Sequence, residues 1–514
     1  MSFDLFYRNS GITYTDSPYV AENPFLTAAP EEAPLPSYEE NAEKLPRPIW
    51  DGHDDVLVCY DYCWRTAFGN LRQPTPGTAF VSNFIDTAFN GFLFMWDSAF
   101  IVQFGRYGKR VFDFQKTLDN FYSNQHRDGF ISREIYEAAP GERFARDDIS
   151  STGPNVLPWA EWEYYRLTGD RKRLAAVFPA LVAYHLWLRE HHTWKDGTYY
   201  TTGLGSGMDN QPRLQPQYNE IMSHGHMTWM DTCAQQVLSA KLLVAMAEEL
   251  GRADEDAVCL LREEQASLTA WINEHLWSEQ DGFYCDAWRD GTLNRVKSVG
   301  AYWALLADIV PPERLGRFVA HLEDPAEFKR PHRVPSLSAD HPKYSENGDY
   351  WKGSVWAPTN YMVMTGLAQH GYEQLAYDIA CNNIENVVEV FDRTGTVWEN
   401  YSAEHLTPGT PAKDKFVGWS GIYPIAILPE YVFGIRPDAA AGCIEWHVRR
   451  TERHGMLRYP FAGGAVDLVC EARADAQQAP VLHVKTDVPL DIALIWDGED
   501  GPHAQRLHFE ADTE

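Results

Sequence analysis

Two acidic residues stand in surroundings that suit chemistry: Asp209 in Gly203-Leu-Gly-Ser-Gly-Met-Asp-Asn-Gln-Pro-Arg213, and Glu399 in Gly395-Thr-Val-Trp-Glu-Asn-Tyr401. Two separated carboxylates sharing a dry aromatic pocket are the minimum equipment for breaking a glycosidic bond. One must carry a proton for the leaving oxygen, and the other must be ionised to activate water or attack carbon. Apolar surroundings raise a carboxyl pKa by a few units from about 4, which brings the acid role near neutrality. Glu404 lies in the same loop as Glu399, and either glutamate alone would more often be a solvated surface acid, so this cluster matters chiefly as a partner for Asp209.

Two further clusters could line such a pocket. In Phe92-Leu-Phe-Met-Trp96-Asp97-Ser-Ala-Phe100 a carboxylate interrupts an apolar aromatic run. Burying it unpaired is costly, so Asp97 should have a partner. It reads either as a helix N-cap or as half of a sugar grip, with the Trp96 ring on a sugar face and the carboxylate accepting from two hydroxyls. Tyr350-Trp351-Lys352-Gly353-Ser-Val-Trp356 sets two tryptophans and a lysine around a glycine, a pattern open to packing or ligand contact. Other chemistries lack their signatures. The glycines at 203, 205 and 207 resemble a phosphate loop, but no Lys-Ser/Thr follows them and the central aspartate would repel phosphate. His224-Gly-His226 has no HExxH or cysteine support for zinc, and no GxSxG elbow or cysteine nucleophile motif occurs. No metal and no cofactor are expected.

Something large must hold these residues. The chain has 514 residues, 44% hydrophobic and 13% aromatic with 18 Trp and 26 Tyr, enough for one large closed core or two to three domains. A formal charge of −29 without any basic run argues against nucleic acid and anionic membranes as partners; the small carbohydrate substrate is expected from the carboxylate and aromatic clusters instead. A homo-oligomer is compatible with this composition. The amino terminus has no positively charged, signal-like start, and no 18-residue apolar run follows. The eight cysteines (59, 63, 233, 259, 285, 381, 443, 470) form no CxxC pair, so a cytoplasmic protein with reduced core thiols is expected.

Residues 1–55, rich in Pro, Glu and Ala from 20 to 50, predict an extended arm with little helix or strand of its own. From 56 to 433 the pattern is helical, with apolar stripes at Val237, Leu238, Leu242, Ala245 and Met246, then at Val258, Leu261, Leu268, Ile272 and Leu276. Turn signals recur at 108 and 169, then at 251, 311 and 371, at spacings of about 60 residues. Longer polar and aromatic segments separate the hairpins. If short turns share one end, these loops, with Asp209 and Glu399 in them, share the other. Five hairpins and a sixth made from 418–432 and an early helix would close an (α/α)6 toroid; the alternative is an open solenoid. Residues 434–514 predict a small antiparallel β domain, with strands near 465–470, 481–485 and 491–496.

Over residues ~80–433 the chain resembles inverting α-glycosidases with an (α/α)6 toroid: glycoside hydrolase family 63, the related trehalases, and bacterial mannosylglycerate and glucosylglycerate hydrolases. In order, it matches "FMWDSAF", "NQHRDGFIS", "SGMDNQPR", "YWKGSVWAPTNY" and "WENYS". The resemblance implies Asp209 as general acid and Glu399 as general base. It implies Trp96 and Asp97 in the first sugar subsite, with Gln125, Arg213, Lys352, Trp356 and Trp419 as further substrate-binding candidates beside Trp351 and Tyr401. Lys352 and Arg213 could hold an acidic group such as glycerate, or each could form a structural ion pair. Met208 departs from the pattern, since an aromatic is common there. The short non-helical stretch before residue 56 favours the compact bacterial type acting on small α-glycosides. A toroidal glycoside phosphorylase and an inactive carbohydrate-binding protein are the competing expectations.

Overall fold

The computed structural model describes residues 14–86, 90–498 and 501–512. Helices dominate up to residue 432: α1 (Asp54–Gly69), α2 (Met95–Gly105), α3 (Leu157–Thr168), α4 (Arg171–His191), α5 (Met230–Leu250), α6 (Asp256–His275), α7 (Trp303–Leu306), α8 (Pro312–Ala320), α9 (Ala357–Gln369), α10 (Glu373–Thr394) and α11 (Tyr423–Val432), a π-helix. Among the described residues no helix is long and apolar enough to cross a membrane. The turn signals at 169, 251 and 311 mark real ends: α3 and α5 stop at the left-handed glycines 169 and 251, and α8 starts on Pro312; α10 also stops at a left-handed glycine, Gly395.

The helices pack in a cycle. α2, α3, α5, α7, α9 and α11 each touch the next, and α11 returns to α2. Outside them, α4 lies on α3 and α5, α6 on α5, and α10 on α9 and α11. The early helix expected to join 418–432 is α1, which packs on both α10 and α11. Burial separates the two layers. α6 buries one stripe, Val258, Leu261, Leu268 and Ile272 with Glu264, as an outer helix does, whereas α5 is buried on more sides and takes Asp231, Gln235, Gln236 and Ser239 inside.

After α11 the chain turns to strands. β1 (Arg47–Trp50), β4 (His454–Phe461), β5 (Gly464–Cys470) and β6 (Leu482–Thr486) form one sheet in that order; β2 (Ile435–Asp438), β3 (Cys443–Val448), β7 (Leu490–Gly498) and β8 (Gly501–Phe509) form the other. The expected strands are present, but the arrangement is not purely antiparallel, because β3 and β7 run parallel. The excursion through β4, β5 and β6 between them gives the long crossover that parallel pairing needs. Among its described residues the arm makes three short 3-10 turns, and a strand, β1, that pairs with β4. All eight cysteines are free thiols, although Cys259 is exposed and Cys381 and Cys443 are only partly buried.

Candidate active site

The long segments between helices converge on a cavity of about 310 Å³. The start of α2 supplies Trp96 and Asp97, the glycine-rich loop Gly207 and Asp209, and the later loops Trp351, Glu399 and Trp419. A second cavity of about 420 Å³ lies between α9, α11 and the β2–β3 sheet. Two of its arginines are already paired, Arg106 with Glu430 at 2.7 Å and Arg436 with Glu373 at 2.6 Å. In the first cavity Asp97, Asp209 and Glu399 make no ion pair among the described residues, although Arg133 and Lys413 act on Asp209 and Glu399, and clustered acids with raised pKa values in a cleft mark a candidate site.

The glycine-rich loop is built for close approach. Residues Gly203–Ser206 make one helical turn, with the Thr202 hydroxyl accepting from Gly205 N at 3.0 Å. A Cβ at Gly203 would stand 2.3 Å from the Asp209 carbonyl oxygen, and one at Gly207 (φ 74°) would stand 2.9 Å from the Trp96 indole. The loop thus folds back on its own aspartate while Trp96 lies against its end. Met208 points the other way, buried behind the cavity with its methyl near Gly300. Past the acid, Gln211 donates to Ser336 O at 2.7 Å and accepts from the Ser298 hydroxyl at 2.7 Å.

The three acids sit in different environments. Burial pushes Asp209 up to about 6, against the pull of the neighbouring Arg133 cation; Glu134 and Glu399 push the same way as burial. Burial also raises Glu399, but two donors favour its ionised form: Tyr350 OH to Oε1 at 2.9 Å and Lys413 N to Oε2 at 3.1 Å. The Trp419 indole N–H donates to the Glu399 carbonyl at 2.8 Å. Asp97 is not an N-cap; it is the third residue of α2 and is raised well above the carboxylate range, by burial first and then by Glu399 and Asp86.

Five expected residues do not line this cavity. Arg213 is 3% exposed and fully occupied: its guanidinium binds Asp231 (2.5 and 3.0 Å) and Asp286 (2.8 and 2.6 Å) over the Trp229 ring. It anchors the acid loop to α5. Gln125 is buried, donating to Gly129 O and Ala180 O and accepting from Asn23 of the arm. Lys352 pairs with Asp349 at 3.2 Å. Trp356 stacks on Trp351 at 3.9 Å and backs that wall, and the Tyr401 hydroxyl accepts from Trp398 N. Glu404 is held by Arg330 and by Tyr344 at 2.6 Å each, away from the cavity.

Tyr350, noted above only as part of its aromatic cluster, and several residues not singled out in the sequence complete the walls. Arg133, Glu134 and Arg143 form an ion cluster beside Asp209, with Glu134 wholly buried between the two guanidiniums. Tyr350, Lys413 and Phe416 stand near Glu399. The one signal for the first group was a charged pair, Arg133-Glu134, set between Ile131 and Ile135 in a strand-like run.

A family profile described as "Mannosylglycerate hydrolase MGH1-like glycoside hydrolase domain" matches residues 91–419. A mannosylglycerate hydrolase from Thermus thermophilus is 25% identical, over 55% of this chain and 83% of that one. A probable mannosyl-oligosaccharide glucosidase from Schizosaccharomyces pombe is 26% identical over 48% of this chain, which spans about a third (34%) of that protein. The structure of a GH63 mannosylglycerate hydrolase from Thermus thermophilus in complex with glucose superposes with a TM-score of 0.58, at 20% identity, over 71% of this chain and 99% of that one.

Proposed function

This chain belongs to the mannosylglycerate hydrolase MGH1-like glycoside hydrolase family, and from that premise we propose that it hydrolyses a small α-glucoside or α-mannoside with inversion of the anomeric carbon. In this reaction Asp209 passes its proton to the glycosidic oxygen as the bond to C1 breaks. A water held by Glu399 attacks C1 from the opposite face and gives up a proton to that carboxylate. The observation that carries the assignment is the split between the acids. Asp209, raised to about 6, has no side-chain donor holding it ionised, whereas Glu399 accepts from Tyr350 and Lys413 N. Trp96 and Asp97 take the first sugar, with Trp351 and Trp419 as apolar walls.

The (α/α)6 toroid belongs to the same proposal and is supported by the cyclic packing of α2, α3, α5, α7, α9 and α11. A cavity of about 310 Å³, near the small end of ligand pockets, favours a compact substrate. The cations lining it are Arg133, Arg143 and Lys413, so an acidic aglycone such as glycerate would meet these rather than Arg213 or Lys352. The test is a panel of α-glucosides and α-mannosides, including their glycerates, with the released anomer followed by proton NMR. The β-anomer should appear first. First release of the α-anomer, phosphate-dependent product formation or absence of turnover across the panel would overturn the proposal.

A further inference from the structure

The backbone around Tyr350 is strained. Asp349 and Tyr350 both take positive φ, 37° and 67°, a conformation unfavourable for a non-glycine residue. One side chain holds it there. The Asn210 carbonyl oxygen accepts from Trp351 N at 2.9 Å, and its amide nitrogen donates to Asp349 O at 2.9 Å, so a single amide clamps the chain on both sides of Tyr350. The Tyr350 ring is fixed edge-on against Trp356, and its hydroxyl reaches Glu399 Oε1. Asn210 directly follows Asp209.

We propose that Asn210 and Tyr350 form a neutral strut that sets the position of Glu399 relative to Asp209. Both are positioning residues, and their roles rest on the acid–base assignment above. Inversion needs two carboxyl groups far enough apart to admit one water, roughly 6.5–9.5 Å, although their loops come from distant parts of the chain. The other contacts to Glu399, from Lys413 N and Trp419, arise on its own side of the cavity. Tyr350 reaches it through a segment clamped to the acid loop. The strut adds no charge to a cavity where Asp97, Asp209 and Glu399 already repel one another and where Lys413 faces the base.

The experiment compares Asn210→Ala, Tyr350→Phe and the double variant with Asp209→Asn and Glu399→Gln, on an α-glycoside and on α-glucosyl and α-mannosyl fluoride. Fluoride leaves without a proton, so Asp209→Asn should keep fluoride turnover and Glu399→Gln should lose both activities. Acting through the base, Tyr350→Phe should lower kcat about 10- to 100-fold on both substrate types, the range for a hydrogen bond to a charged group, and Asn210→Ala about 10-fold, with KM within about twofold. The double variant should be no worse than Tyr350→Phe alone. In both single variants the acid limb of the pH profile should move to higher pH, because Glu399 loses or loosens a donor that favours its ionised form. If Asn210→Ala does not fold, Asn210→Asp, which keeps the acceptor for Trp351 N, should show an intermediate loss. Losses that multiply in the double variant, retained fluoride turnover in Asn210→Ala or an unmoved acid limb would overturn the strut. If Asp209→Asn and Glu399→Gln behave alike on both substrates, the acid–base assignment itself falls.

Discussion

Replacing Asp209 by Asn should make the protein more stable while removing its activity. The carboxyl is raised from an ordinary value of 3.8 to about 6 by burial. Below about pH 4 the group is protonated whether the chain is folded or not, and the folded state bears no penalty. Between about pH 4 and 6 only the unfolded chain gives up the proton, so stability is lost at about 1.4 kcal/mol per pH unit, close to 3 kcal/mol in all. Because the carboxyl keeps some surface toward the cavity, about 2 kcal/mol is the better figure at pH 7. Asparagine never ionises and recovers that amount, and its removal of one negative charge also relieves Asp97. Thermal midpoints of wild type and Asp209→Asn at pH 7 and pH 4 provide the assay, with a gain at pH 7 that disappears at pH 4. On a substrate needing acid assistance, kcat should fall by about 10²–10⁴. A variant less stable at pH 7, or equally stabilised at both pH values, would refute the reasoning.

Two other substitutions separate electrostatic from structural roles. Arg133→Met removes the cation that holds Asp209 down and should shift the alkaline limb of the kcat/KM profile upward by about one pH unit; a limb that stays in place would show that Arg133 does not tune the acid. Arg213→Met leaves Asp231 and Asp286 as uncompensated buried charges and should cost about 3–5 kcal/mol, seen as a lowered thermal midpoint with KM unchanged. A raised KM at an unchanged midpoint would place Arg213 at the substrate instead.

Much of the fold was legible because its punctuation is local. A left-handed cap such as Gly169 or Gly251 announces itself in the residue type, and the apolar spacing of α6 shows which face it buries. The parallel β3–β7 pair was hidden because direction depends on a crossover, which strand-length alternation does not record. In the site, Asp97, Asp209 and Glu399 stood out as acids among aromatics and glycines, and they share one cavity. The sequence names a side chain without saying which way it points. Arg213 and Arg133 are the same residue type near the same acid, yet one is consumed by Asp231 and Asp286 while the other lines the cavity. Tyr350 was visible as an aromatic, but its reach to Glu399 depends on two left-handed residues that no composition rule predicts.

The pairing of the earliest elements with the latest ones imposes a timetable. β1 and α1 leave the ribosome well before their partners β4 and α11, which follow roughly 400 residues later. At about 5–20 residues per second that gap lasts on the order of 20–80 s. Through it, α1 has no α11 to pack against. The cavity also waits, because Phe416 and Trp419 form its last wall. A nascent chain acquires Asp209 long before Glu399, so for that interval it carries an acid with no base to face.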